Sequence, residues 1–258
     1  MTVLLECLDV SVAYGGVHAV DTVSLRVEPG TLAGLIGPNG AGKTSLIDAI
    51  SGFTPTVHGR VVFGGTDVTR APPHRRARMG LARTFQSLEL FDDLTVRDNL
   101  LAAAQSLRWW SILADLVHPS RASDAAGVVE HVLDVLGIAG LAEQTPAEIS
   151  QGQRKLVGVA RALARRPRLL LLDEPASGLD TSESQDLGAR LRKLVAEGYT
   201  MLLVDHDMDL VLNVCDVVYV LDFGQIIAEG TPAQIRGNES VITAYLGAKA
   251  NPAAGDER

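Results

Sequence analysis

The residues with the most legible chemistry are Gly37-Pro38-Asn39-Gly40-Ala41-Gly42-Lys43-Thr44. They fit the spacing G-x-x-x-x-G-K-[ST], whose glycines let backbone N–H groups turn toward an anion while the lysine reaches phosphate oxygens. In this reading Lys43 reaches the β- and γ-phosphates of a nucleotide, the Thr44 hydroxyl ligates Mg²⁺, and Ser45 offers a hydroxyl near the α-phosphate. Such a cradle needs carboxylates for the metal. Leu169-Leu170-Leu171-Leu172-Asp173-Glu174 supplies them. Four apolar residues bury a strand, and Asp173 emerges at its carboxyl end, where α/β sheets bind ligands. Asp173 can hold Mg²⁺ through a water, and Glu174 can polarise an attacking water. Two adjacent carboxylates at a buried strand end are costly unless a cation neutralises them.

The elements that must position these groups are set by periodicity. Val23, Leu25 and Val27 alternate with Ser24, Arg26 and Glu28, the period of a half-buried strand. Pro29-Gly30 marks a turn, Thr31–Ile36 reads as a buried strand, and Lys43–Ser51 reads as a helix with Leu46, Ile47 and Ile50 on one face. Arg60–Phe63 returns to strand. From Leu88 to about Arg166 the apolar spacing is helical, with a loop expected over Pro119–Gly127. After Pro167 strands and helices alternate: Leu169–Leu172, Thr200–Val204 and Val217–Leu221 as strands, Leu187–Ala196 as a helix. The expected fold is α/β: a phosphate-loop NTPase core with an N-terminal antiparallel β subdomain and an inserted α-helical subdomain. One domain is expected over 1–247, with 1–87 and 167–247 forming the core, 88–166 the helical part, and 248–258 a fraying tail.

Composition excludes some function classes. Acids outnumber bases 31 to 23, a net charge of −8, and aromatics are only 4% of the 258 residues, so neither an electrostatic footprint for nucleic acid nor a base-stacking platform is expected. Cys7 and Cys215 have no metal spacing and read as reduced thiols. The N-terminus has no basic region or cleavage pattern of a secretory signal. The most apolar candidate span, Trp109–Val117, is broken by Ser111 and Asp115, so the chain is not expected to cross a bilayer by itself. The arginines Arg75, Arg76, Arg78, Arg154, Arg161, Arg165 and Arg166 read as solvated faces. His18, His58, His74, His118 and His131 read as packed or solvated; His206, just past a buried strand, stands apart.

The 130 positions between Lys43 and Asp173 exceed a minimal phosphate-loop core, and the insert carries Ile149-Ser150-Gln151-Gly152-Gln153-Arg154. That run resembles the signature motif of ABC (ATP-binding cassette) ATPases. Other marks of the family stand around it in the expected order. Tyr14 resembles the aromatic that stacks on adenine, and Gln86 in Arg83-Thr84-Phe85-Gln86 resembles the Q-loop glutamine. Ser177-Gly178-Leu179-Asp180 resembles the D-loop, and His206 in Val204-Asp205-His206-Asp207 resembles the switch histidine. The resemblance runs from about residue 3 to 247. One departure is Gln151, where the usual motif has its first glycine; Ser150 and Gly152 are kept.

The resemblance implies that ATP and Mg²⁺ bind Tyr14, residues 37–45 and Gln86, with Thr44, Gln86 and Asp173 serving the metal. Lys43, Glu174 and His206 are the implied catalytic residues. Ser150, Gly152 and Gln153 would close over the γ-phosphate held by an opposing subunit, with Asp180 joining the two sites. One phosphate loop and one signature per chain then imply a dimer, with itself or with a sister ATPase. Phe85, Leu88, Leu90 and Phe91 offer an apolar surface to a short helix of a membrane permease, or pack inside the helical subdomain. The chain would sit peripherally on the cytoplasmic face of the membrane and act indirectly with an extracytoplasmic substrate-binding protein. Leu94-Thr95-Val96, Asn99-Leu100, Gly230-Thr231-Pro232 and Ala244-Tyr245-Leu246-Gly247 further resemble the ATPase of branched-chain amino-acid importers. Urea or amide importers, lipid exporters and non-transport ABC ATPases are the alternatives. The acidic charge, the single cassette and the lack of a long coiled coil count against the last, and the signature and D-loop count against a phosphate-loop kinase.

Overall fold

Alternation builds the first sheet. In the computed structural model, which describes residues 3–84, 90–104 and 120–250, β1 (Leu5–Tyr14) pairs antiparallel with β2 (Val17–Val27). The register sets Leu5 opposite Val27 and Cys7 opposite Leu25, so one face of each strand is apolar and buried. After β3 (Leu32–Ile36) the sheet is completed by β4 (His58–Phe63) and β5 (Thr66–Asp67), giving the order β2-β1-β4-β5.

The second sheet is the middle layer. Its order is β10-β9-β3-β8-β7-β6, with β6 (Leu81–Arg83), β7 (Leu169–Asp173), β8 (Met201–Val204) and β9 (Val217–Asp222) parallel to β3. At its edge β10 (Gln225–Gly230) runs antiparallel. A sheet covered on both faces needs apolar residues at every position, and Leu169–Leu172 and Met201–Val204 are buried throughout. Alternate residues feed two cores. Leu170, Leu172, Met201 and Leu203 join the core under the helices, whereas Leu169, Leu171, Leu202 and Val204 join one shared with the antiparallel sheet. Each fully buried leucine contributes roughly 1.5–3 kcal/mol of transfer free energy, so β3, β7 and β8 form a rigid shelf.

The helices are α1 (Lys43–Ser51), α2 (Pro73–Arg78), α3 (Val96–Ala104), α4 (Ser120–Val135), α5 (Gln151–Leu163), α6 (Thr181–Ala196), α7 (Met208–Val214), α8 (Pro232–Arg236) and α9 (Glu239–Ala250). As expected, the described residues between 90 and 166 are built from helices and short 3₁₀ turns. The expected loop over Pro119–Gly127 is corrected: α4 starts at Ser120 and continues through Gly127, a glycine tolerated because α4 packs Val129, Val132 and Leu133 into the core. The helix expected from Leu187 starts at Thr181, because Asp180 caps it. The helix α9 runs to Ala250, three residues into the expected tail. Among the described residues no helix is long and apolar enough to cross a membrane; Trp109–Val117 lies outside them, as do residues 251–258.

Candidate functional site

The parallel strands β3, β7 and β8 end side by side, and the residues just beyond their ends make the site. Asp173, the last residue of β7, pairs with Val204, the last of β8, and Leu35 of β3 pairs with Val204 from the other side. The phosphate loop leaves β3, the Asp173-Glu174 pair leaves β7, and Asp205-His206 leave β8.

The loop 37–42 is fixed by backbone contacts. Ala41 N–H donates to the Pro38 carbonyl at 3.2 Å, and Leu46 N–H to the Gly42 carbonyl at 2.9 Å. Gly42 has φ 103° and heads α1, whose first turn carries no acidic residue. The helix therefore presents a positive end to an anion. Two of the glycines are also required by packing. A Cβ on Gly37 would lie 2.1 Å from the Leu221 carbonyl oxygen, and one on Gly42 would lie 2.1 Å from that of Ala19. Lys43 is 6% exposed, and its ammonium donates to the carbonyls of Gly37 (2.7 Å) and Pro38 (3.0 Å). Burial lowers its pKa, opposed by the carboxylates of Glu174, Asp205 and Asp173. Thr44 is exposed beside it and Ser45 is half-buried. Pro38, Asn39, Gly40 and Ala41 complete the loop.

Asp173 has one carboxylate oxygen occupied. Its Oδ2 accepts from Arg83 Nη2 at 2.7 Å, and the same guanidinium donates to Asp48 Oδ1 (2.5 Å) and Ser51 Oγ (3.1 Å) on α1. Arg83 thus clamps the end of β7 to the helix that carries the phosphate loop. Glu174 has φ +45°, a left-handed conformation that strains a residue with a side chain. Its N–H donates to the Val204 carbonyl at 2.8 Å, which holds it there. His206 Nδ1 lies 3.8 Å from Glu174 Oε2 and 3.5 Å from Asp205 Oδ1. Asp205 is fully buried; its Oδ1 accepts from the N–H groups of His206 (2.8 Å) and Asp207 (3.0 Å), and its Oδ2 from that of Ala176 (3.2 Å).

The donors fit a hard cation shared with a phosphate. Among the described residues no group of three or more His, Cys, Asp or Glu could hold a metal ion, so the protein makes no cage of its own there. It offers oxygen from Thr44 and Asp173, the set Mg²⁺ takes when phosphates supply the rest.

Tyr14 closes β1 half-exposed, with its hydroxyl 3.3 Å from Thr54 Oγ1, just past α1. Ser150 caps α5: its Oγ accepts from Gln153 N–H at 3.2 Å, while Gln153 Oε1 accepts from Ser150 N–H at 2.8 Å. Gly152 packs so close to α6 that a Cβ would meet Glu183 Oε1 at 2.7 Å. Asp180 caps α6 in a reciprocal pair with Glu183. The structure therefore divides the expected site residues into two groups. Residues 37–45, Asp173, Glu174 and His206 gather at the strand ends. Ser150, Gly152, Gln153 and Asp180 sit at the adjoining tips of α5 and α6. Gln86, Phe85 and Leu88 lie outside the described residues. Leu90 packs against the helical core, whereas Phe91 is 51% exposed with the Arg161 guanidinium 5.1 Å from its ring.

Several arginines depart from expectation. Arg76 is a correction: it is 1% exposed, not solvated, and its guanidinium donates to the carbonyls of Ala49, Ile50, Thr69 and Ala71. Arg154 and Arg161, on α5, are half-buried. Arg83, Lys155 and Asp205 were not singled out by sequence. For Asp205 a signal was present: it directly follows a wholly apolar strand, at the carboxyl end where α/β sheets bind ligands.

Known proteins share this outline. A family model described as ABC transporter matches residues 20–177, and one described as branched-chain amino acid ATP-binding cassette transporter matches residues 225–251. The high-affinity branched-chain amino acid transport ATP-binding protein BraF of Pseudomonas aeruginosa is 38% identical over 95% of this chain and 98% of its own length. The lipopolysaccharide export system ATP-binding protein LptB of Haemophilus influenzae is 34% identical over 95% and 97%. Among solved structures, the ADP conformation of MJ1267, an ATP-binding cassette of an ABC transporter, superposes with a TM-score of 0.82 at 31% identity, covering 96% of this chain and all of that one.

Proposed function

The chain belongs to the ABC transporter family of ATP-binding cassettes, and on that premise we propose that it drives the import of branched-chain amino acids. It is an ATP-binding, ATP-hydrolysing subunit. The observation that carries the cargo assignment is the match of residues 225–251 to the branched-chain amino-acid cassette model, beyond the part common to all transporters. A relative named for lipopolysaccharide export is 34% identical over 95% of the chain, so export of a lipid is the second reading.

In the proposed cycle the adenine stacks on Tyr14 and the phosphates enter the loop 37–45. The α1 terminus and Lys43 take up their charge. A bound Mg²⁺ would be held by Thr44, by Asp173 through water and by Gln86, and would neutralise phosphate charge. Glu174 orients the attacking water, and His206, close to both Glu174 and Asp205, faces the γ-phosphate. Ser150, Gly152 and Gln153 of the partner subunit close the site as a helix tip aimed at an anion, so two cassettes share two nucleotides. Catalysis is then positioning and charge stabilisation, with little covalent work for the protein. The exposed Phe53, Val57 and Phe91 offer apolar surface to membrane permease subunits, which hold the cassette peripherally on the cytoplasmic face and receive cargo from an extracytoplasmic binding protein.

Glu174→Gln tests the core of this reading. Its amide cannot take a proton from water, so hydrolysis is expected to fall at least 100-fold while ATP binding persists and an ATP-bound dimer accumulates on size exclusion. Hydrolysis at the parent rate would remove Glu174 from its role. Uptake of labelled leucine by vesicles containing the permease, against export of labelled lipopolysaccharide, separates the two cargo readings.

A further inference from the structure

We infer that Lys155 is a positioning residue that pins the loop following Glu174 to the helix headed by the signature motif. It rests on the reading above, in which Glu174 serves this chain's nucleotide and the tip of α5 serves the neighbour's.

Lys155 lies on α5 and is only 9% exposed. Its ammonium donates to the Ser177 carbonyl. The adjacent residue, Ala176, gives its N–H to Asp205 Oδ2 at 3.2 Å. Two consecutive residues of the loop are therefore each held, Ser177 by the ammonium of α5 and Ala176 by the fully buried carboxylate just past β8. Burial lowers the Lys155 pKa, and the carboxylates of Asp205 and Glu174 oppose that shift. The held segment leads directly to Glu174: Ser177 N–H donates to the Glu174 carbonyl at 3.2 Å. Any displacement of Ser177 is thus transmitted to a residue already at a strained φ.

Other contacts join the same two segments. Gly152 abuts Glu183 and Leu179, and the Gln151 amide nitrogen lies 3.6 Å from the position of a Cβ on Gly178. These are close approaches between surfaces, whereas Lys155 supplies a directed bond. A buried ammonium carries a desolvation cost that a methionine of similar length would avoid. The position therefore uses the donor and the charge, not the bulk. The consequence is mechanical. When the tip of α5 meets a neighbour's nucleotide, the loop beside this chain's own Glu174 is carried with it.

The test compares Lys155→Met and Lys155→Arg in the full chain. Lys155→Met is expected to lower kcat at least 10-fold with KM for ATP within twofold of the parent, because the phosphate loop is untouched. Lys155→Arg, which keeps a donor and a charge, is expected to stay within threefold. Amide hydrogen exchange over residues 175–180 should accelerate at least fivefold in Lys155→Met, with α1 unchanged. Parental kcat and parental loop exchange in Lys155→Met would overturn the inference, as would Lys155→Arg as slow as Lys155→Met. If Lys155→Met does not fold, Lys155→Gln, a shorter neutral donor, is read against the same limits. If the parent hydrolyses no ATP, the functional reading fails by itself, and the exchange comparison decides the inference alone.

Discussion

Replacing Arg76 by methionine probes the support beneath the phosphate loop. The guanidinium donates to the carbonyls of Ala49 and Ile50 at 2.6 Å each, to Ala71 at 2.9 Å and to Thr69 at 3.0 Å. Ala49 and Ile50 lie in the last turn of α1, so Arg76 satisfies C-terminal carbonyls and places positive charge at the negative end of the helix dipole. Methionine keeps the apolar stem and removes every donor. Ala49 retains an N–H from Gly52 at 3.3 Å, but the carbonyls of Ile50, Thr69 and Ala71 lose the bond Arg76 gave them. At about 1.5 kcal/mol per charge-assisted bond, less the recovered desolvation of the guanidinium, the expected loss is about 4 kcal/mol. For a domain of this size that lowers Tm by roughly 10 °C. Urea and thermal unfolding without nucleotide measure it, and Arg76→Lys, with a single compact donor group, should fall between parent and methionine. A loss below about 1 kcal/mol would refute the argument, because it would mean the carbonyls reach water unaided.

The loop glycines and the buried thiols give two more expectations. Gly37→Ala and Gly42→Ala should each destabilise the nucleotide-free protein by more than about 3 kcal/mol, because their Cβ atoms would press on the backbone carbonyls of Leu221 and Ala19. Gly40→Ala, open on all sides but at φ +80°, should cost about 1 kcal/mol from backbone strain; equal melting temperatures for all three would contradict this. Burial pushes the Cys7 thiol up to about 12 from an ordinary 9.0. Its neutral form is favoured by folding, so that contribution is complete below pH 9 and is lost as pH rises from 9 toward 12. The urea midpoint should therefore fall across that window, and Cys7→Ala should flatten the fall by about 1 kcal/mol per pH unit. An unchanged slope in Cys7→Ala would exclude the thiol as its source.

Local chemistry is what the sequence determined by itself. The phosphate loop and Asp173-Glu174 were readable because their chemistry depends on neighbours a few residues away, and the strands of the parallel sheet because double burial demands unbroken apolar runs. The runs that resemble the signature and D-loop, together with His206, stand in the sequence as an ordered set of short motifs. Tertiary structure alone decided which charged side chains are interior. Arg76, Arg83 and Lys155 look like any surface residue in a sequence, since burial of a charge depends on partners from distant segments: Ala49 and Thr69 for Arg76, Asp173 for Arg83, Ser177 for Lys155. It also decided that the residues from Ser120 to Gly127 are helical, as part of an α4 whose Val129, Val132 and Leu133 pack into the core. Even the glycines of the phosphate loop answer partly to the fold, because Leu221 and Ala19 approach them from strands that no local spacing reveals.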